Sequence, residues 1–162
     1  MPARLSVGRK QFLANKNRTY VVEQPRLRLL RRRLLAIGGQ EVVLTREKHL
    51  ELLLSRAQTW KRVTPRKVPG TVNQCHKNSA VAYAKAPTKH QIVTGWALHG
   101  DDVVWRQHTW LLRGDQLCET TWPAKIYFGV VLDKAEAARF VRGELGAAAV
   151  RDAATKRKQR DR

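Results

Sequence analysis

Apolar residues in the first third of the chain recur at helical spacing. Pro25 suits a first helical turn, Leu27, Leu30, Leu34 and Ile37 follow three or four residues apart, and Gly38-Gly39 ends the run. The other face of this predicted helix is arginine. A second helix is predicted from Thr45, as N-cap, through Leu50, Leu53, Leu54, Ala57 and Trp60. Glu47 stands in its first turn and Lys61-Arg62 in its last, as the helix dipole prefers. Residues 1–24 mix Arg and Lys with short apolar patches such as Tyr20-Val21-Val22, a pattern that suits an arm or an added edge strand. Proline and glycine make Thr64 to Gly70 a loop, and Cys75 to Lys85 reads as a helix.

Beyond Pro87 the period changes from helix to strand. Strands are predicted for Gln91 to Leu98, Val103 to Leu112, Gln116 to Trp122 and Ile126 to Leu132, with turns at His99-Gly100-Asp101 and Gly114-Asp115. They compose an antiparallel meander. Asp133 and Glu136 have capping-box spacing and open an alanine-rich helix, which is expected to fray into a disordered basic tail. The expected fold is therefore α+β. It has a basic helical region over 1–69, a thiol-bearing helix packed on an antiparallel sheet over 70–132, a C-terminal helix over 133–155 and a tail over 156–162, in a single domain.

Composition adds a partner class. The 32 Lys+Arg against 13 Asp+Glu give a formal charge of +19, which attracts phosphate polymers and anionic surfaces. The charge is uneven: residues 1–70 carry 17 basic and 4 acidic side chains, 71–130 carry 6 and 4, and 131–162 carry 9 and 5. The nearly neutral middle third holds four of the five Trp and four of the five His, so it has a separate task from the basic flanks. Five arginines within eight positions, Arg26, Arg28, Arg31, Arg32 and Arg33, exceed what solubility requires and are the candidate polyanion contacts. Two cysteines and no recognisable leader point to a reducing, cytoplasmic setting rather than a disulfide framework. No apolar run approaches the roughly 20 residues of a membrane span.

Candidate chemistry lies in the middle third. Nucleophilic thiol catalysis needs a thiolate, an imidazole to take its proton and a third group to fix the imidazole. Cys75 opens a predicted helix, where the dipole and free N–H groups stabilise an anion. If Gly114-Asp115 is a two-residue turn, Arg113 faces Gln116, Trp110 faces Glu119 and Cys118 faces Leu111. His108 and Glu119 then share one face of the sheet and Cys118 points to the other, which disfavours a metal cluster of Cys75, His108 and Cys118. Gln74 and Asn78 flank the thiol as candidate oxyanion or auxiliary groups, with His76 on the same helix. Gly95, Trp96, Trp110 and Trp122 are candidate walls of a substrate pocket. There is no C-x2-C or H-x3–5-H spacing for structural zinc, and the chemistry calls for no cofactor.

Cys75 at a helix start, Gly95-Trp96-Ala97 on a strand, His108-Thr109-Trp110 and then Glu119-Thr120-Thr121-Trp122 form a set that resembles the transglutaminase-like branch of the papain-like cysteine superfamily. The resemblance covers roughly residues 70–130 and rests on short motifs in the order Cys, His, acid. It implies a papain-like or transglutaminase-like core and acyl transfer from a protein or peptide amide through a thioester, by hydrolysis, deamidation or crosslinking. Glu119 stands where that family commonly has Asp, and Thr120 where it has Pro. The competing reading is a nucleic-acid or ribonucleoprotein binding module on the same fold with an inert thiol. Charge favours the module; the order of motifs favours the enzyme.

Overall fold

The computed structural model describes residues 3–100 and 103–160 and is α+β, with five helices and a mixed sheet of seven strands. The helices are α1 (Val7–Glu23), α2 (Leu27–Ile37), α3 (Leu50–Arg56), α4 (Cys75–Lys85) and α5 (Lys134–Arg160). The strands are β1 (Glu41–Val42), β2 (Gln58–Lys61), β3 (Arg66–Lys67), β4 (Gln91–Leu98), β5 (Val104–Arg113), β6 (Gln116–Glu119) and β7 (Ile126–Val131). The sheet order is β2-β7-β4-β5-β6-β3, with β1 paired to β5. The chain forms two compact units: residues 1–63, 95–108 and 124–130 in the first, and residues 64–94, 109–123 and 131–162 in the second.

In the first unit α2 follows its leucine period. Leu27, Leu30 and Leu34 are fully buried, and the helix stops where the Gly38 N–H bonds to Leu34 O. Gly39 turns the chain at a φ of +78° with the Trp105 indole 3.0 Å from where a Cβ would lie, so a side chain there meets both backbone strain and a clash. Residues 3–24 form neither an arm nor a strand: Val7–Glu23 is a helix, N-capped by Ser6. No apolar stripe marks it, because its buried residues are only Leu13 and the polar Asn17. The buried Asn17 donates from Nδ2 to Val42 O and accepts at Oδ1 from Leu44 N–H, clamping α1 to the chain around β1.

The helix expected from Thr45 to Trp60 is much shorter. Residues before Leu50 are held by the buried Glu47 carboxylate, which accepts from the His49 N–H, the Trp96 indole and the Gln107 amide. After Arg56 the chain turns extended, and Trp60 pairs in register with Tyr127 along the antiparallel β2/β7 ladder. Trp60 belongs to the sheet, although its spacing from Leu53 and Ala57 suits a helix.

In the second unit α4 has the predicted bounds, and α5 packs against it. The capping box at α5 is formed: the Asp133 N–H donates to Glu136 Oε2 and the Glu136 N–H to Asp133 Oδ1, each at 2.8 Å. The helix is broken at Gly146, where φ is 78° and ψ 162°, and continues through Lys156 to Arg160, where a disordered tail was expected. Asp161 and Arg162 lie outside the described residues, as does Asp101 of the turn predicted at His99-Gly100-Asp101.

The meander holds for β4, β5 and β6, but β7 lies beside β4 rather than β6. Two short strands make the sheet mixed: β1 runs parallel to β5, and β3, inside the predicted 64–70 loop, runs parallel to β6. The Gly114-Asp115 turn has Gly114 at a φ of +59°, as a glycine-led two-residue hairpin requires, and the register is Arg113↔Gln116, Leu112↔Leu117 and Leu111↔Cys118.

Candidate active site

Four interactions of the second unit position Cys75. The Val68 N–H donates to Glu119 O, which fastens the loop ahead of α4 to the end of β6. Asn78 then closes that loop on the helix: Oδ1 accepts from the Thr71 N–H at 3.0 Å and Nδ2 donates to Thr71 O at 2.7 Å. Gly70 passes so close that a Cβ would lie 2.6 Å from Asn78 Nδ2 and 2.7 Å from Thr120 O. Asn73 takes a left-handed φ of 60°, which asparagine tolerates better than most side chains, and after Gln74 the chain enters the helix at Cys75.

Cys75 is half-buried as the first helical residue of α4, within the turn whose N–H groups lack intrahelical acceptors. Such donors and the helix dipole favour a thiolate over a thiol. Its Sγ lies 3.7 Å from Nδ1 of the adjacent His76. That nitrogen is also 2.6 Å from Thr109 Oγ1, and Thr109 Oγ1 is 3.2 Å from Thr94 Oγ1. The edge of the His76 ring meets Phe140, with centroids 6.1 Å apart. Hydroxyls and an aromatic ring thus fix the imidazole beside the sulfur. Spacing gave no sign of this, because neighbours at i and i+1 point to different sides of a helix.

Glu119 ends β6 and is 2 % exposed. Burying a carboxylate is costly without compensation, and its Oε1 accepts from the Thr120 N–H, the Thr121 N–H and the Thr121 hydroxyl. These bonds fix the carboxyl plane. Asn78 acts through the loop it closes, and Gln74 is exposed with no side-chain capping bond.

The second cysteine is of a different kind. Cys118 is 1 % exposed within β6, and its thiol lies 3.6 Å from Gln116 O. Burial pushes its pKa up, against the pull of Arg66 and Arg113. It is an interior side chain.

His108 lies on β5 in the first unit and is 5 % exposed. Its ring centroid is 5.9 Å from that of His99 and 6.2 Å from that of Tyr127. Three of the expected pocket-wall residues are interior. Trp96 and Trp110 are fully buried, and the Trp96 indole donates to Glu47. Gly95 lies where a Cβ would come within 2.1 Å of Phe128 O. The reason is that β4 is buried at both parities from Ile92 to Leu98, so neither face of the strand opens to solvent. Trp122, in contrast, is 63 % exposed.

The five arginines of 26–33 do not share one role. Arg26 pairs with Glu51 in an exposed salt bridge worth little to stability. Arg33 donates to Leu54 O. Arg31 makes a two-pronged pair with Glu41, Nε to Oε1 at 2.7 Å and Nη2 to Oε2 at 2.9 Å, which raises its own pKa. Burial pushes the Glu41 carboxyl up, yet Arg31 and the Val42 N–H outweigh it and leave the pKa lowered. Arg28 and Arg32 have no ion pair or hydrogen bond among the described residues and remain exposed.

Among the described residues no three His, Cys, Asp or Glu side chains cluster as metal ligands, and no helix is long and apolar enough to cross a membrane. No family model, curated protein or solved structure matches the chain.

Proposed function

We propose that the chain is a small cysteine-dependent enzyme that transfers an acyl group from a protein or peptide amide. The observation that carries this reading is the setting of Cys75: a half-buried thiol opening α4, on a loop tied to the strand that ends in the buried Glu119. A structural cysteine needs no such bracing and is more often fully buried, as Cys118 is.

In the proposed reaction the Cys75 thiolate attacks the amide carbonyl carbon, forming a C–S bond. The C–N bond then breaks, and the leaving amine takes a proton from the imidazolium of His108, leaving a thioester. Water or a second amine, losing its proton to the same imidazole, attacks the thioester and releases a carboxylic acid or a new amide together with the thiol. Glu119 holds one imidazole nitrogen protonated and stabilises the imidazolium. Support for this assignment is the hairpin register: with Leu111 opposite Cys118, the alternation of β5 gives Trp110 and His108 the same parity as Glu119. His76, fixed by Thr109 with its Nδ1 3.7 Å from the sulfur, contacts the thiol directly and is the alternative proton acceptor.

Alkylation tests the reading without knowledge of the substrate. The native protein is treated with iodoacetamide near neutral pH and the adducts are mapped by mass spectrometry. The reading requires that Cys75 label well ahead of Cys118. Labelling of Cys118 first, or an unreactive Cys75 in folded protein, overturns it.

A further inference from the structure

A cleft lies in the first unit, where α1 and α2 face each other. Ala14, Asn17, Arg18 and Val21 make one stripe of α1, and Arg28, Arg31, Arg32 and Leu35 make one stripe of α2, each at spacings of three, one and three. Between them is a cavity of about 540 Å³, within the range of pockets that bury a small ligand or part of a larger one. Its apolar lining is aliphatic, from Ala14, Val21, Leu35 and the buried Leu44. Its charged groups are four arginines and one glutamate.

The charges sort themselves. Glu41 is satisfied by Arg31, so that pair is close to neutral and braces the wall. Arg18, Arg28 and Arg32 are exposed and unpaired among the described residues. Three exposed guanidinium groups line an aliphatic cleft, and among the described residues none of them is paired with an anion of the chain. A ligand carrying several anionic groups complements such a set of unpaired cations.

We propose that this cleft seats a single strand of nucleic acid, with backbone phosphates on Arg18, Arg28 and Arg32 and one nucleoside on the aliphatic lining. Guanidinium matches phosphate in two-pronged geometry. A polymer fits better than a free nucleotide because the field extends beyond the cleft: residues 7–37 carry nine basic side chains and one acidic, Glu23. A single strand fits better than a duplex because a nucleoside must leave its stack to enter a cleft between helices, and a duplex resists that. The lining has no aromatic side chain, so the contacts read phosphate and sugar rather than base identity, and sequence preference is weak. The site uses none of the residues assigned to thiol chemistry.

Fluorescence anisotropy with a labelled RNA of about 15 nucleotides tests it, a length at the upper end of small single-strand sites. The triple variant Arg18→Gln, Arg28→Gln, Arg32→Gln is compared with Lys85→Gln, Lys89→Gln, Lys134→Gln, which removes the same charge from exposed positions of the second unit. At about 0.7 per phosphate, the slope of log K against log salt should flatten by about two in the first variant and change little in the second. Ala14→Leu fills the cleft without touching charge, and should weaken binding several-fold at an unchanged slope. The proposal is overturned if both triple variants lose equally, if Ala14→Leu binds like the parent, if a duplex of the same sequence binds as tightly, or if only anionic vesicles or acidic peptides bind.

Discussion

Glu119 and Glu47 show how a buried carboxylate is held in this protein, and for what. Glu47 is 2 % exposed; burial pushes its pKa up, but hydrogen bonds from His49 and Gln107 outweigh this and leave it lowered. It belongs to the core together with Trp96, so Glu47→Gln should cost stability, about 1–3 kcal/mol in chemical denaturation, with no effect on thiol reactivity. Glu119 is assigned the opposite profile. Glu119→Gln keeps the shape and removes the charge, so alkylation of Cys75 near neutral pH should slow while the melting temperature moves little. Glu119→Asp should retain part of the parent rate. Equal labelling rates in parent and Glu119→Gln would show that the carboxylate does not act on the thiol through an imidazole. The residue scale was partly legible in the sequence. The β5/β6 register could be counted from a two-residue turn, whereas the approach of His76 to Cys75 depends on Thr109, a residue 33 positions away.

Elements with a clear local signal were legible: α2 by its leucine period and closing glycines, β4 by an apolar run too short for a helix, and the start of α5 by its capping box. Those that failed lacked such a signal. The α1 helix has no apolar stripe because its buried residues are only Leu13 and the polar Asn17, and Trp60 extended the apparent period of α3 into β2. Long-range pairings such as β1 with β5 and β3 with β6 involve two residues each and leave no pattern in sequence. Two substitutions test elements. Asp133→Ala removes the acceptor for the Glu136 N–H and should cost about 1 kcal/mol in denaturant unfolding. Gly95→Ala forces a methyl group to within 2.1 Å of Phe128 O and should destabilise far more, to the point of poor soluble yield. A Gly95→Ala protein as stable as the parent would mean that β4 and β7 are not as closely apposed as described.

For the whole molecule, an uneven charge and two buried carboxyls with lowered pKa, Glu41 and Glu47, set the response to solution conditions. A carboxyl whose folded pKa lies below its unfolded value contributes stability above the unfolded pKa and loses it as pH falls through the folded one. Glu41 and Glu47 both have lowered values, so thermal stability should hold down to about pH 4.5 and decline below it, as protonation breaks their pairs and raises a charge that is already +19. Glu41→Gln with Glu47→Gln should start less stable and lose less on acidification; a parallel decline would assign acid sensitivity to net charge alone. The enzymatic reading stands on one thiol and its imidazole. The most direct measurement is the pH dependence of Cys75 alkylation in the parent, in His108→Gln and in His76→Gln. The account requires an inflection well below the ordinary thiol value of about 8.5 in the parent, its return toward that value in His108→Gln, and a smaller change in His76→Gln. A His108→Gln profile that overlays the parent, or one in which His76→Gln alone shifts the inflection, would contradict it.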